Sequence, residues 1–211
     1  MTVATLLSHG ENMNLRLLGT ITAVLCVVAL TACQTTGRSG GSLKDAIKTR
    51  SIERARLHDA GEIKAAYDKV NGDPDEVLLL FLNACLLVEE DKDAGNRAIA
   101  YLSRDNDQWE DADGPTGVKL SKMAEEGLRR IWEKPEIIRS YCGGDGSDFS
   151  MAEPEVVDLS IKDTQEPNST TTKYFLWSTG KDNASPVSLR SDGGRWYVDE
   201  WSSLQGGVTA R

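Results

Sequence analysis

The sequence predicts an α+β fold, in which N-terminal helices pack on a small C-terminal antiparallel sheet of about four strands. Residues 77–88 are apolar nearly all round, which is typical of a helix buried on every side. Residues 120–132 carry apolar side chains at spacings of three and four, which predicts an amphipathic helix. From Val156 onward the chain is rich in β-branched and aromatic residues, which favours strands.

The predicted helical part, residues 43–141, begins with two helices within residues 43–70 that Gly61 separates. This stretch is unusually basic. It therefore either contacts an anionic lipid or a partner, or is a solvated surface whose charges serve only solubility. Asp73 and Pro74 are predicted as the cap and the first position of the buried helix that follows.

Two further helices complete this half of the chain. One places Ala94, Ala98 and Leu102 on a shared side. The other opens at Pro115 and stops at Pro135, because proline cannot continue a helix. The buried helix and this amphipathic helix are expected to cover one face of the sheet.

The predicted sheet lies within residues 154–204, and with the helices it forms one domain, residues 43–211. Asp192-Gly193-Gly194 is a tight-turn signal, because glycine supplies the positive φ that a two-residue hairpin needs. Short connections throughout favour an antiparallel meander. The predicted strands are Val156 to Lys162, Thr171 to Ser178, Val187 to Arg190 and Arg195 to Trp201.

Composition excludes several functions. A formal net charge of −9 leaves no electrostatic footprint for nucleic acid. We predict no metal and no cofactor: the acidic residues 105–113 fail the spacing of a calcium loop, since Trp109 would occupy its first ligand position. Cys85 and Cys142 lack the spacing of a zinc site. We expect them to stay unpaired, because Cys85 lies in the buried helix whereas Cys142 begins an exposed loop.

The start of the chain predicts export. A short cationic segment, residues 14–16, precedes an uncharged apolar run over residues 17–29, which is the layout of a secretory signal. The next four residues, Leu30-Thr31-Ala32-Cys33, resemble the lipobox of bacterial lipoproteins. The resemblance implies cleavage between Ala32 and Cys33, a diacylglycerol on the sulfur of Cys33, and an acyl chain on its amino group.

These features divide the chain into a signal peptide, residues 1–32, a flexible tether rich in Gly, Ser and Thr, residues 33–42, and the folded domain. Translation starts at Met1 or at Met13. Gln34 follows the lipid-bearing cysteine, which by the same resemblance points to the outer membrane, with the domain facing the periplasm. The membrane is thus a predicted partner through the acyl chains, and an envelope protein is a second one.

The C-terminal half resembles an uncharacterised bacterial domain family. In that family a Ser-Pro-x-x-Leu-Arg strand, here Ser185 to Arg190, leads through a turn into a Trp-Tyr strand, here Gly194 to Glu200. Ser140-Tyr141 and Tyr174-Phe175-Leu176 add to the likeness, which covers about Asp73 to Val208. Because the family has no assigned activity, the resemblance implies no catalytic residue. The chain departs from the family at Cys142, where an aromatic residue is usual.

The most promising working surface is the Gly-rich loop after Tyr141 with the adjacent sheet end, because loops held by a rigid scaffold are frequent binding sites. Arg190 is also predicted to form a cross-strand ion pair with the acids at positions 199 and 200. We expect a non-enzymatic binding or structural module. The alternatives are a periplasmic hydrolase that uses the loop carboxylates, and an immunity-type lipoprotein. The candidate binding residues are Asp145, Asp148, Phe149, Arg190 and Trp201.

Overall fold

The computed structural model describes residues 49–70 and 72–210. The predicted signal peptide, the lipobox with Cys33 and the tether lie outside these residues. The helices of the described part are α1 (Ala60–Tyr67), α2 (Pro74–Glu90), α3 (Lys92–Leu102), α4 (Lys122–Glu133) and α5 (Glu136–Arg139). The strands are β1 (Arg50–Ala55), β2 (Gln108–Glu110), β3 (Val118–Leu120), β4 (Val156–Asn168), β5 (Thr171–Leu176), β6 (Ser185–Asp192) and β7 (Arg195–Glu200).

The main sheet has five strands in the order β1-β4-β5-β6-β7, and every neighbouring pair is antiparallel. The predicted α+β class is confirmed, and four of the five strands are those expected from the sequence. Strands β2 and β3 form a separate two-stranded sheet between α3 and α4. Within the described residues no helix is both long and apolar enough to span a bilayer.

Helix α2 is the centre of the core, as predicted. The carboxylate of Asp73 accepts a hydrogen bond from the backbone N–H of Asp75, and Pro74 occupies the first turn. All twelve residues from Val77 to Val88 are buried, because α2 packs on β1, β4 and β7 on one side and on α1, α3 and α4 on others. Burial of this many large apolar side chains makes α2 the main hydrophobic contribution to folding.

The prediction that residues 43–70 form two helices is wrong for the described part of that stretch. Residues 50–55 form strand β1, which pairs with β4, and Gly61 lies inside the first turn of α1 rather than between two helices. The helix propensity of these residues is outweighed by the pairing of β1 with β4. The cause is an alternation of period two, in which Ile52 and Arg54 are half-buried while their neighbours are exposed.

The arginines in and just after β1 form ion pairs within the fold. Arg50 forms an ion pair with Asp75 and Arg54 with Glu76, both at the start of α2. Arg56 reaches Glu90 at the other end of α2, at 2.9 Å. Arg50 and Arg54 therefore fasten an edge strand to the central helix, and Arg56 fastens the end of that strand. Three of the basic side chains of this stretch are thus engaged within the fold.

Two details of the other helices differ from expectation. Helix α4 begins at Lys122 with Ser121 as its cap, because residues 118–120 belong to β3. It packs on α2, α5 and the 3-10 turn at Ser202–Gln205, so it reinforces the core behind α2. In α3, Gly95 allows the helix to approach Val88 so closely that a Cβ there would lie 2.5 Å from a Val88 methyl carbon.

The β6–β7 hairpin is fastened to the helices by an arginine among tyrosines. The guanidinium of Arg195 lies 4.3 Å from the ring centre of Tyr67 and 5.2 Å from that of Tyr101. Tyr67 also donates to the backbone carbonyl of Trp196, and Tyr101 donates to Asp68 at 2.7 Å. Cation–π contacts and hydrogen bonds thereby join β7 to α1 and α3.

Candidate functional site

The loop after Tyr141 is ordered by its own backbone, contrary to the flexible, exposed connector that its glycines suggest. The N–H of Gly144 donates to the carbonyl of Arg139, and the N–H of Asp145 donates to the carbonyl of Ser150, both at 2.8 Å. Gly144 also forms a β-bridge with Met151. A Cβ at Gly144 would lie 2.6 Å from the Arg139 oxygen, so only glycine fits this close approach.

Asp145 and Asp148 shape this loop. A carboxylate oxygen of Asp145 accepts from the N–H of Ser147, and one of Asp148 accepts from the N–H of Ser150. These hydrogen bonds from Ser147 and Ser150 lower the pKa of both carboxyls, so both groups are ionised at neutral pH. A group with a lowered pKa is a poor general acid.

Phe149 and Cys142 are buried rather than exposed. Phe149 is a non-glycine residue with a positive φ of 60°, and its ring packs beside Gly180. A bulky residue in this conformation carries strain that the surrounding structure must hold in place. Cys142 is 1 % exposed, which corrects its predicted place at the start of an exposed loop.

A groove runs between this loop and the outward face of β4. Two cavities of about 330 and 270 Å³ form it, and both are lined by Gly143 and Asp158. We call it the Asp158 groove. Its first cavity is completed by residues including Glu53, Met151 and Glu153. The loop contributes Cys142 and Gly143 to the walls, whereas Asp145 and Asp148 lie outside both cavities.

The first cavity is strongly acidic. Glu53 of β1 and Asp158 of β4 are directly opposed in the strand register, and both are exposed on the outward face. Glu153 adds a third carboxylate to the lining. Asp158 accepts a hydrogen bond from the Ser51 hydroxyl. Like charges directly opposite each other repel, so this wall favours a cation.

The second cavity combines an aromatic ring with hydroxyl groups. Trp177, just after β5, and the exposed Ser160 of β4 line it together with Thr179. The Thr179 hydroxyl donates to the Gly144 carbonyl at 2.8 Å, which ties this wall to the loop. The Lys162 ammonium lies 4.8 Å from the centre of the Trp177 ring, so this ring already attracts a cation.

The structure places Arg190 in a different cavity. That cavity, of about 390 Å³, lies between the end of α3 and the β6–β7 hairpin, and Arg104, Asp105 and Asp192 also line it. Its arginines and aspartates balance each other, so it offers little net charge to select a ligand.

The predicted Arg190 ion pair is wrong. Arg190 lies opposite Tyr197 in the strand register. The register shift between Ser188 and Leu189 leaves Asp199 with no residue opposite it on β6. Asp199 pairs instead with Arg104 at 2.8 Å. Glu200 accepts from the N–H and hydroxyl of Ser202.

Trp201 belongs to the core. It is half-buried, and its ring centre lies 5.8 Å from that of Phe81 on α2. Of the five candidate binding residues, two therefore shape the loop, two are packed into the fold, and Arg190 lines a separate cavity.

Lys181 and Ser185 form the kind of pair that activates a serine nucleophile, but the serine hydroxyl is not accessible to a substrate. The Lys181 ammonium lies 2.6 Å from the Ser185 hydroxyl, and burial lowers the pKa of this lysine. However, Ser185 is 1 % exposed, and its oxygen also contacts the Tyr141 hydroxyl at 2.8 Å. Lys181 additionally donates to the carbonyl of Ser203. The cluster therefore fastens the chain after Trp201 to the sheet.

Both cysteines of the described part are free, as predicted. Cys85 and Cys142 are buried, and burial raises the pKa of each thiol, so neither is a reactive thiolate. Among the residues that the structure describes, no group of three or more His, Cys, Asp and Glu side chains is arranged to hold a metal ion.

Sequence reasoning missed the residues that line the Asp158 groove. Glu53 falls in the stretch predicted to be helical, and Asp158 and Ser160 fall in the predicted strand Val156 to Lys162, where nothing in the sequence singles them out. The alternation Val157, Leu159, Ile161 marks these two positions as outward-facing. The sequence does not reveal that β1 lies beside them, because strand pairing between residues about 105 positions apart leaves no local signal.

A family model described as a domain of unknown function (DUF6935) matches residues 58–210. The chain belongs to this family. The match confirms the predicted membership of an uncharacterised domain family over the C-terminal part of the chain. No curated protein and no solved structure matches the chain significantly. The DUF6935 match begins at His58, so β1 and Glu53 lie outside it although β1 is part of the sheet.

Proposed function

We propose that this DUF6935 protein is a lipid-anchored protein of the bacterial cell envelope whose folded domain binds a protein partner through the Asp158 groove. The partner presents an extended segment with a cationic side chain. The domain acts by binding rather than by catalysis. Lipid on Cys33 holds it at the outer membrane, facing the periplasm.

The anchoring part of the proposal is supported by the sequence of residues 14–33, with its cationic start, apolar run and Leu-Thr-Ala-Cys ending. One acyl chain gives only marginal membrane binding, whereas the two attachments on a lipoprotein cysteine give stable anchoring. The Gly/Ser/Thr composition of residues 34–42 supports a tether that leaves the domain free to meet a partner.

The single observation that carries the binding part is the pair Glu53 and Asp158, opposed across β1 and β4 at the mouth of a groove. A pair of opposite charges would serve stability better at such an exposed position. Trp177 beside them supplies a flat surface for the aliphatic stem of a lysine or an arginine, and Ser160 supplies a hydrogen-bonding group.

The two alternative functions have less support. A hydrolase that uses Asp145 and Asp148 would need a carboxyl able to give up and take back a proton, and hydrogen bonds from the loop lower the pKa of both groups. An immunity-type lipoprotein would also act by binding. It differs from our proposal in requiring a toxin gene beside its own, so the genome neighbourhood separates the two.

The binding proposal is tested by NMR titration of the mature chain in detergent micelles with a defined probe, the tri-lysine peptide. We expect the indole N–H of Trp177 to shift, while the indole of the exposed Trp109 serves as an internal reference. Asp158→Asn should weaken the response about fivefold, the effect of losing one surface ion pair of about 1 kcal/mol.

Asp163→Asn is the matched control, because Asp163 lies on the same strand beyond the groove and is exposed. It should leave the titration unchanged. A chitin-type trisaccharide is titrated in parallel. If the trisaccharide shifts Trp177 and tri-lysine does not, the partner is a glycan and the cationic-peptide proposal fails. If neither probe acts on Trp177, the groove is not the binding surface.

A further inference from the structure

His58 joins three parts of the fold at one point. It lies between β1 and α1, and its two ring nitrogens contact two different carboxylates. Nδ1 is 3.2 Å from Glu90 at the end of α2, and Nε2 is 2.9 Å from Glu155, which directly precedes β4. His58 is the sole histidine of residues 33–211.

This geometry requires a protonated ring. A neutral imidazole has one N–H donor and one acceptor nitrogen, so one of the two carboxylates would face an acceptor. Only the imidazolium can donate to Glu90 and to Glu155 together. The same two hydrogen bonds, with Glu155 as the larger influence, raise the pKa of His58 above 6.5.

Glu90 and Glu155 differ in the charged partners that each keeps when His58 loses its proton. Glu90 keeps an ion pair with Arg56 at 2.9 Å. The Glu155 side chain is 73 % exposed and its described charged contact is with His58. The other charged groups beside His58 are Asp59, the cap of α1, and Glu62, whose carboxylate accepts from the backbone N–H of His58. The neutral ring keeps a single N–H and can donate to only one of the two carboxylates, so deprotonation breaks the bridge between Glu90 and Glu155.

Glu155 lies next to the wall of the Asp158 groove. Its neighbours Glu153 and Val156 line the first cavity, and its carbonyl accepts from the N–H of Arg56 at 2.8 Å. We infer that His58 is a pH-sensitive latch, which ties the Glu153–Val156 wall to the end of α2 when protonated and breaks this tie when neutral. This inference rests on the proposed function only in treating the wall as part of a binding groove.

The latch is tested without any ligand, so its failure is distinct from failure of the binding proposal. The pKa of His58 is measured by proton NMR on the full chain in detergent, with His58→Gln to assign the signal. Glu155→Gln should lower the proton affinity of His58 about threefold, as for an exposed ion pair. In the wild type, the hydrogen-exchange protection factor of the Arg56 amide should fall as pH rises through the His58 pKa.

Glu153→Gln is the matched control, because it removes an equal charge two residues away. It should leave the His58 pKa unchanged, and the pH dependence of Arg56 protection with it. If Glu153→Gln and Glu155→Gln lower the pKa equally, the effect is general charge and there is no latch. If Glu155→Gln has no effect, or Arg56 protection does not change with pH in the wild type, the inference is wrong.

Discussion

Glu53 of β1 and Asp158 of β4 lie directly opposite each other on two hydrogen-bonded strands, and both line the same cavity. Two carboxylates in this relationship repel each other and weaken the pairing of an edge strand. The same strand is otherwise well fastened, through Arg50 and Arg54, to the start of α2. The fold thus tolerates a local repulsion where a cationic partner would relieve it.

Replacing one of these acids should change stability and binding in opposite directions. Glu53→Gln is expected to raise the free energy of unfolding by about 0.5 kcal/mol, because it removes the cross-strand repulsion. It should also weaken tri-lysine binding, because the groove loses charge. Urea unfolding and the Trp177 titration measure the two effects. The control is Glu166→Gln, an exposed acid farther along β4, which should leave the titration unchanged. A Glu53→Gln protein that binds tri-lysine as the wild type does would contradict the role of Glu53.

Two glycines in helices should respond oppositely to alanine. At Gly95 a Cβ would lie 2.5 Å from the Val88 side chain and 2.6 Å from its backbone nitrogen, so α2 and α3 must separate. Gly95→Ala should destabilise the protein by about 1–3 kcal/mol, as overpacking does. At Gly127 on α4 nothing lies within 4 Å of the added carbon, so Gly127→Ala should stabilise the protein by about 0.5–1 kcal/mol. Equal effects in urea unfolding would show that α3 does not approach α2 this closely.

Asp75 should make stability depend on acid pH. Partial burial would raise its pKa, but hydrogen bonds from Arg50 and Tyr174 outweigh burial and lower the pKa below 3.8. Its contribution is therefore present above pH 3.8 and is lost as pH falls through the lower folded-state pKa. Asp75→Asn should cost on the order of 1 kcal/mol at pH 7, and its difference from wild type should shrink in acid.

Unfolding curves at a series of pH values measure this difference. Asp113→Asn, a change at an exposed residue between β2 and β3, is the control and should follow the wild type throughout. A difference for Asp75→Asn that stays constant down to acid pH would contradict the assigned pKa shift.

Lipid attachment is tested by Cys33→Ala. We expect an uncleaved chain without acyl groups, because the residue that resembles the acylated cysteine of a lipobox is gone. Acyl chains contribute about 0.8 kcal/mol per buried CH₂, so the variant should lose the detergent-phase partitioning of a lipoprotein. Detergent phase separation and the intact mass measure both effects. Cys142→Ala serves as control. Equal partitioning of Cys33→Ala and wild type would contradict lipid attachment at Cys33.

The sequence predicted the elements whose signals are local. The cap at Asp73, the uninterrupted apolar run of α2 and the glycine turn before Arg195 each depend on a few neighbouring residues, and each is present in the structure. Strand β1 was missed because its residues favour a helix in isolation. Its pairing with β4 and the arginines that reach α2 are tertiary contacts, which propensity does not contain.

The predicted working surface and the proposed groove share a region of the fold but few residues. The loop after Tyr141 does border a groove, through Gly143. The loop acids are conspicuous in the sequence, but the structure uses Asp145 and Asp148 in tight turns. The groove acids come from strands distant in the chain, so only their register brings them together.

The most direct measurement is site-specific photo-crosslinking in intact cells of the source organism, with benzoylphenylalanine at Ser160 inside the groove or at Glu166 outside it. Both positions are exposed on β4, which makes them a matched pair. The account predicts an adduct with an envelope protein from position 160, its loss when Asp158→Asn is added, and no such adduct from position 166. Adducts that are the same from both positions, or that persist with Asp158→Asn, would contradict binding through the Asp158 groove.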